Sequence, residues 1–230
     1  MSKRINNLFT GIANRYDIMN HLLSLGVDTL WRKQAAAETM IDGKNLLMLD
    51  VGTGTGDLAI EISRTAIRHG KRVGIEAIDF NADMLIIARR KITGKGVSGI
   101  NLKKMDALSL DYPAGKFDVV TSGFVMRNLD DLNRFAREAY RVTKHGGKAV
   151  ILDMARPESA AGRAAFRVYF PIMRLVGDAV DRNAYEWLVY SIRHFDRNRT
   201  KRALQAAGFK KVRMINLLSG VAYIAEGEKP

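Results

Sequence analysis

Cysteine is absent from all 230 residues, which excludes disulfides, thiolate zinc sites and cysteine nucleophiles together. Only four prolines occur, and no low-complexity run, so long flexible linkers are not expected. No stretch approaches the ~20 apolar residues of a membrane-spanning helix. The opening MSKRINNLFTGIANRYDIMN lacks the apolar core of a secretory signal. A cytoplasmic chain is expected, any membrane contact being peripheral, on the inner face. The four histidines, His21, His69, His145 and His194, show no ligand spacing, and no metal is expected.

What is there reads as an ordinary folded chain, 47% apolar and 27% charged, which rules out wholesale disorder. The length suits one domain over residues 1–230 with its own core. Within it, residues 1–42 read as an N-terminal helical cap and residues 156–198 as a helical insertion or lid. Net charge is +13 and unevenly placed: residues 156–213 hold 13 Lys/Arg against 5 Asp/Glu. Such a basic lobe suits nucleic acid or an anionic lipid surface, and equally a solvated face on a thermotolerant protein.

Periodicity predicts a helix over residues 29–40, then strands over 46–51, 72–78, 100–105, 117–121 and 148–152, separated by helices over 57–68, 82–92 and 130–143. The alternation stops over 156–196, where two arginine-studded helical segments are expected, with Pro171 as a kink or break. A helix over 199–207 ends at Gly208. Strands over 212–217 and 221–225 follow, joined by a tight Ser219-Gly220 turn. The fold expected is α/β: a Rossmann-like, doubly wound, seven-stranded sheet, mostly parallel with a C-terminal antiparallel hairpin, plus N-terminal helices and a helical insertion.

Asp50-Val51-Gly52-Thr53-Gly54-Thr55-Gly56-Asp57 lies between the first strand and its helix, where ligands of open α/β sheets bind. It is not a P-loop, since Asp57-Leu58 stand where Lys-Ser/Thr is needed. It is not a dinucleotide fingerprint either, since Asp57 occupies the third glycine position and would repel a pyrophosphate. The loop suits a ligand without phosphates, S-adenosylmethionine, with Gly52, Gly54 and Thr55 along it and Asp50 or Asp57 near its positive charge. Asp79, ending the second strand, can accept both ribose hydroxyls. Asp106, ending the third, can accept from the adenine amino group while the Ala107 amide donates to the ring. Three strand-end signals in order point to a Class I methyltransferase.

Tyr16-Asp17-Ile18-Met19-Asn20-His21-Leu22-Leu23-Ser24, closed by Leu30-Trp31-Arg32, resembles the N-terminal signature of the ubiquinone/menaquinone biosynthesis C-methyltransferases. Residues 141–148 with Ile151-Leu152-Asp153 resemble their second signature, and Phe124-Val125-Met126-Arg127-Asn128 their segment after strand four. Ser191-Ile192-Arg193, Ala207-Gly208-Phe209 and residues 216–221 match the C-terminal third. The chain departs from that pattern at Asp28 (usually histidine), Asp153 (usually glutamate), Gly123 (usually serine) and His145 (usually proline).

The resemblance implies methyl transfer from S-adenosylmethionine to a ring carbon of a polyprenylated hydroquinone, demethylmenaquinol or a ubiquinol precursor. A ring carbon becomes nucleophilic when a neighbouring phenol, of pKa about 10, loses its proton. Arg127 is the expected catalytic residue, stabilising the phenolate or holding a water; a structural ion pair with Asp130 or Asp131 is the alternative. Tyr16 is expected on the quinol oxygen or over the cofactor, and Asn128 and Tyr185 on the substrate.

Over residues 160–180, Arg163, Arg167 and Arg174 flank Phe166, Tyr169, Phe170, Ile172 and Met173. That face suits either a helix at an anionic membrane interface or a lid packed on the core. The rival functions are a methyltransferase of another substrate such as RNA, for which no binding module is visible, and a non-catalytic scaffold of a quinone-biosynthesis complex. The oligomeric state is left open, a homodimer included.

Overall fold

The computed structural model describes residues 10–11, 21, 24 and 26–230. Its elements in chain order are α1 (Asp28–Glu38), β1 (Asn45–Val51), α2 (Asp57–Arg68), β2 (Arg72–Asp79), α3 (Ala82–Gly94), β3 (Ile100–Lys104), β4 (Phe117–Gly123), a 3-10 turn (Met126–Asn128), α4 (Leu132–Val142), β5 (Thr143–Met154), α5 (Ala160–His194), α6 (Asn198–Ala207), β6 (Lys210–Leu217) and β7 (Ala222–Glu228). One sheet runs in the order β3-β2-β1-β4-β5-β7-β6. Strands β1 to β5 pair in parallel, and β7 is antiparallel to both β5 and β6. The expected seven-stranded, mostly parallel sheet is present.

Asn45–Val51 forms a strand because its apolar run is covered on both faces, as parallel strands between helix layers must be. On one side Trp31, Ala35 and Ala36 of α1 and Leu58, Ala59 and Ile62 of α2 pack on Met48, Ile75 and Val150. On the other, Phe135, Ala136 and Ala139 of α4 and Ala203 and Leu204 of α6 pack on Leu49, Val120 and Ile151. Each such fully buried Leu, Ile or Phe contributes roughly 1.5–3 kcal/mol. Strand order reverses at β1, whose neighbours are β2 and β4. The crevice beyond its carboxyl end is therefore where a ligand fits.

Boundaries move where side chains cap. The Asp131 carboxylate accepts from the Arg134 amide at 2.8 Å, so α4 starts at Leu132 rather than at residue 130. Strand β5 begins five residues earlier than expected because Gly146 and Gly147 pair with Lys229. The break in the insertion falls at Asp181, whose backbone is extended (φ −165°, ψ 109°), and not at Pro171, which lies inside α5. Asp181 accepts from the Ala184 amide at 2.9 Å, so a carboxylate caps the second half and decides where the helix restarts. The expected N-terminal cap falls largely outside the described residues; its described helix is α1. No helix among the described residues is long and apolar enough to cross a membrane.

Candidate active site

The glycine loop turns at the carboxyl end of the central strand β1 with Gly52 and Gly54 at φ +70° and +56°, a backbone region that disfavours side chains. A Cβ on Gly52 would meet Val125 Cγ2 at 2.5 Å, while one on Gly54 would meet nothing within 4 Å. The Gly54 amide donates to Asp79 Oδ2 at 2.8 Å and the Asn81 amide to Asp79 Oδ1 at 2.8 Å. The acid ending β2 is thereby fixed against the loop. Burial raises the Asp79 carboxyl above its ordinary value, against the pull of the Asn81, Gly54 and Phe80 amides. These residues, with Met84, Met105, Asp106, Ala107, Phe124, Asn128 and Leu129, line a solvent-open cleft of about 650 Å³.

A second, solvent-open pocket shares Phe124 with this cleft. Its other walls are Trp31, Met154, Phe170 and Leu188, with Ser24, Asp28, Arg32 and Arg127 as the polar groups. Arg127 is ion-paired through Nη1 with Asp153 and also donates to the Phe124 carbonyl at 3.1 Å, while its buried Nε finds no acceptor. Arg32 is ion-paired with Asp28, which also accepts from the Ser24 hydroxyl at 2.8 Å. Burial pushes the Asp28 carboxyl up, but Arg32, the hydrogen bonds from Ser24 and Arg32, and His21 outweigh it and leave it below its ordinary value. The two guanidinium carbons lie 5.2 Å (Arg32) and 5.7 Å (Arg127) from the Phe124 ring centroid. One aromatic wall, at an unusual φ of +62°, thus carries two cations beside an otherwise apolar pocket.

The model of the ubiE/COQ5 methyltransferase family matches residues 1–229. The chain belongs to the ubiE/COQ5 methyltransferase family. It is 37% identical over 228 residues to a demethylmenaquinone methyltransferase of Thermus thermophilus, covering 97% of this chain and 100% of that protein. It is 36% identical over 231 residues to the ubiquinone/menaquinone biosynthesis C-methyltransferase UbiE of a Geobacter species, covering 99% and 97%. A SAM-dependent methyltransferase from Aquifex aeolicus shares the fold (TM-score 0.62, 18% identity, 86% of this chain and 89% of that one). So does the phosphoethanolamine N-methyltransferase 2 of Haemonchus contortus, crystallised with S-adenosyl-L-methionine (TM-score 0.60, 14% identity, 86% of this chain and 52% of that one).

As a family methyltransferase the chain uses S-adenosylmethionine, and the cleft has features that fit it. There is open space at Gly54, the Asp79 carboxylate at the end of β2, and apolar walls at Met84, Met105 and Leu129. Asp50 Oδ2 and Thr53 Oγ1 are buried polar atoms without a partner beneath the loop. Burial raises the Asp50 carboxyl to about 6, against the hydrogen bond from the Thr121 hydroxyl at 2.9 Å. Asp57, in contrast, is paired with Lys91 at 2.5 Å.

Of the residues singled out in the sequence, Gly52, Gly54, Asp79, Asp106, Ala107 and Asn128 come together in this family cleft, and Arg127 sits in the adjoining pocket. The Arg127 pair is with Asp153, not Asp130 or Asp131. Asn128 accepts from the Trp187 indole at 3.0 Å while lining the cleft. Thr55 is not brought to the cleft: its hydroxyl accepts from Lys91 at 3.1 Å. Nor is Tyr185, whose hydroxyl donates to the Phe170 carbonyl inside α5. Tyr16 lies outside the described residues. Asn81, whose amide donates to Thr10 at 2.7 Å, and the Ser24–Asp28–Arg32 cluster were not foreseen as site residues. Their spacing of four, twice repeated, was the available signal.

Proposed function

We propose that this methyltransferase transfers the methyl group of S-adenosylmethionine to a ring carbon of a polyprenylated hydroquinone, with demethylmenaquinol as acceptor and menaquinol as product. The observation that carries this reading is the apolar pocket behind Phe124, separated from the cofactor cleft by that one side chain and holding a buried arginine with an unused donor. When bound, S-adenosylmethionine supplies an electrophilic methyl on a sulfonium. Gly52 and Gly54 would line its amino-acid end, Asp79 its ribose, and Asp106 and Ala107 its adenine.

The chain's own residues then serve the acceptor. Trp31, Phe124, Met154, Phe170 and Leu188 take the flat apolar ring and exclude water. Arg127, permanently charged, stabilises the phenolate left when the hydroxyl proton passes to water at the open cleft, so that electron density reaches the carbon to be methylated, and the proton of that carbon leaves to water once the methyl is bonded. The buried Asp153 carboxylate keeps that guanidinium oriented. Arg32, held by Asp28, is the second cation facing the ring.

A polyprenyl tail resides in a bilayer, so we also infer peripheral work at the inner membrane surface, with residues 156–198 as the covering lobe. The test is purified enzyme with S-adenosylmethionine and a short-tailed demethylmenaquinol, analysed by mass spectrometry. A product heavier by one methylene unit on the ring is expected, and no turnover overturns the acceptor. Loss of transfer in Arg127→Ala with cofactor binding intact separates catalysis from a scaffold role.

A further inference from the structure

Away from the methyl-transfer site, a solvent-open pocket of about 690 Å³ is lined by Arg156, Pro157, Glu158, Arg163, Arg193, His194, Phe195, Asp196 and Arg197. It brings together the chain after β5, both ends of α5 and the start of α6. Its two acids are engaged with neighbours: Glu158 with Arg197 Nε at 3.5 Å and Asn198 Nδ2 at 3.3 Å, Asp196 with Arg202 at 3.0 Å. Arg197 is buried and holds the Asn216 side chain and the Gly220 carbonyl. The other three arginines have no carboxylate partner among the described residues. Arg163 donates to the Glu158 carbonyl and Arg193 lies 5.9 Å over the Phe166 ring. Three unneutralised guanidinium groups around one cavity are a receptor for a multivalent oxyanion, because each offers a fork of donors that matches phosphate oxygens.

We propose that this pocket binds the phosphate of an anionic phospholipid headgroup and so seats α5 on the bilayer. The occupant is argued from what surrounds the pocket. On α5, Val168 is 65% exposed and Tyr190 55% exposed, the Tyr190 ring 4.3 Å from that of His194 in the pocket wall, apolar surface of the kind an interfacial helix requires. Phe195, the phenyl ring in the pocket wall, is buried and offers no open face on which a base could stack. It also adjoins the acceptor pocket: Met154 lines one and Arg156, two residues on, the other, while Phe170 and Leu188 share α5 with Arg163 and Arg193. A headgroup held here leaves acyl chains, and a prenyl tail among them, at the mouth of the ring pocket. The assignment rests on the proposed bilayer-resident acceptor only for its occupant; the anion site itself rests on the arginines.

The test is co-sedimentation of the full chain with phosphatidylcholine vesicles, with and without phosphatidylglycerol. Binding to the anionic vesicles is expected. Replacing Arg156, Arg163 and Arg193 by Gln should lower the partition constant about a hundredfold, at about fivefold per arginine. Replacing the exposed Arg89, Arg90 and Arg137 by Gln removes the same charge elsewhere and should cost tenfold or less. Equal losses in the two variants, or none in the first, overturn the site. Arg193→Gln alone, at an exposed residue, should still lose about fivefold and keeps the test valid if the triple variant misfolds. Titration with inorganic phosphate separates the sources: saturable binding of phosphate without binding of anionic vesicles overturns the lipid assignment. Methyl transfer to a water-soluble short-tailed acceptor should be equal in wild type and variant. Its absence in wild type counts against the acceptor and leaves the vesicle result readable.

Discussion

Arg127 is locked to Asp153 by a side-chain ion pair and by its own amide, which donates to Asp153 Oδ2 at 3.1 Å. The two residues meet because β4 and β5 run side by side, Gly123 opposite Leu152, so each strand's next residues face the same crevice. The pair is almost wholly buried, and a buried cation kept without an escape route is costly unless its partner stays.

Arg127→Ala should therefore lower kcat about a hundred- to a thousandfold, the usual effect of losing one charge-stabilising donor, with the Kd for S-adenosylmethionine within threefold. Asp153→Ala strands the guanidinium and should lose about 3–5 kcal/mol of stability. Asp153→Glu, which retains the charge, should restore much of it. Steady-state kinetics and urea denaturation measure these effects; an Arg127→Ala enzyme with normal kcat would remove Arg127 from the chemistry.

Phe124 separates the two cavities and carries Arg32 and Arg127 near its face. Phe124→Leu keeps apolar volume but discards the ring quadrupole, worth about 0.5–2 kcal/mol per cation. Because one side chain walls both sites, cofactor Kd and acceptor KM should rise together, each roughly threefold to thirtyfold. A change confined to one of them would show that the wall is not shared.

Much of this arrangement is legible in the sequence, and the reason is topological. A continuous apolar run between turn residues reads as a doubly covered strand, which located β1, and the strand–helix alternation after it located the ends of β2 and β3, and with them Gly52, Asp79 and Asp106. What one chain cannot reveal is a partner set by packing. The Thr55 hydroxyl looks like a loop ligand until Lys91, 36 residues on, takes it. Tyr185 looks like a substrate contact until α5 turns back at Asp181 and buries it on Phe170. Asp28 and Asp153 registered only as departures from a familiar pattern, yet both are the counter-ions of the arginines at the ring pocket.

Thr55 and Asp79 give a paired prediction for the cofactor cleft. Asp79→Ala removes the acceptor for the Gly54 and Asn81 amides along with the proposed ribose contact. It should weaken S-adenosylmethionine binding ten- to a hundredfold, the range of one or two charged hydrogen bonds. Thr55→Val should change it less than threefold. Isothermal titration of both variants decides; a large Thr55 effect would place that hydroxyl in the bound state after all.

Tyr185→Phe should leave acceptor KM unchanged and lose about 1 kcal/mol of stability, one buried hydrogen bond to the Phe170 carbonyl. Gly177→Ala should cost more, since a Cβ there would meet Tyr185 Cδ2 at 2.3 Å, an overlap that forces the two halves of α5 apart. Thermal unfolding ranks the two, and a raised KM in Tyr185→Phe would return the tyrosine to the acceptor site.

Asp50 supplies a pH dependence whose sign is fixed by burial. Its folded-state carboxyl titrates near 6, whereas an unfolded one does so near 3.9. Between those values the folded chain keeps a proton that the unfolded chain has released, so this group's contribution to stability falls as pH rises from about 4 to about 6, by on the order of 3 kcal/mol. Other carboxylates, Asp28 and Asp196 among them, are lowered and act in the opposite sense, so the comparison must be between variants. Asp50→Asn, neutral at every pH, should gain on wild type as the pH is raised from 4.5 to 7.5, the gap in urea-denaturation free energy widening in favour of the variant. Parallel curves would mean that Asp50 titrates as an ordinary aspartate and that the unpartnered Oδ2 beneath the glycine loop is hydrated. A bound sulfonium cation should act in the opposite direction on the same group, favouring the ionised carboxylate. Wild-type affinity for S-adenosylmethionine should therefore improve across pH 6, and that of Asp50→Asn should stay flat.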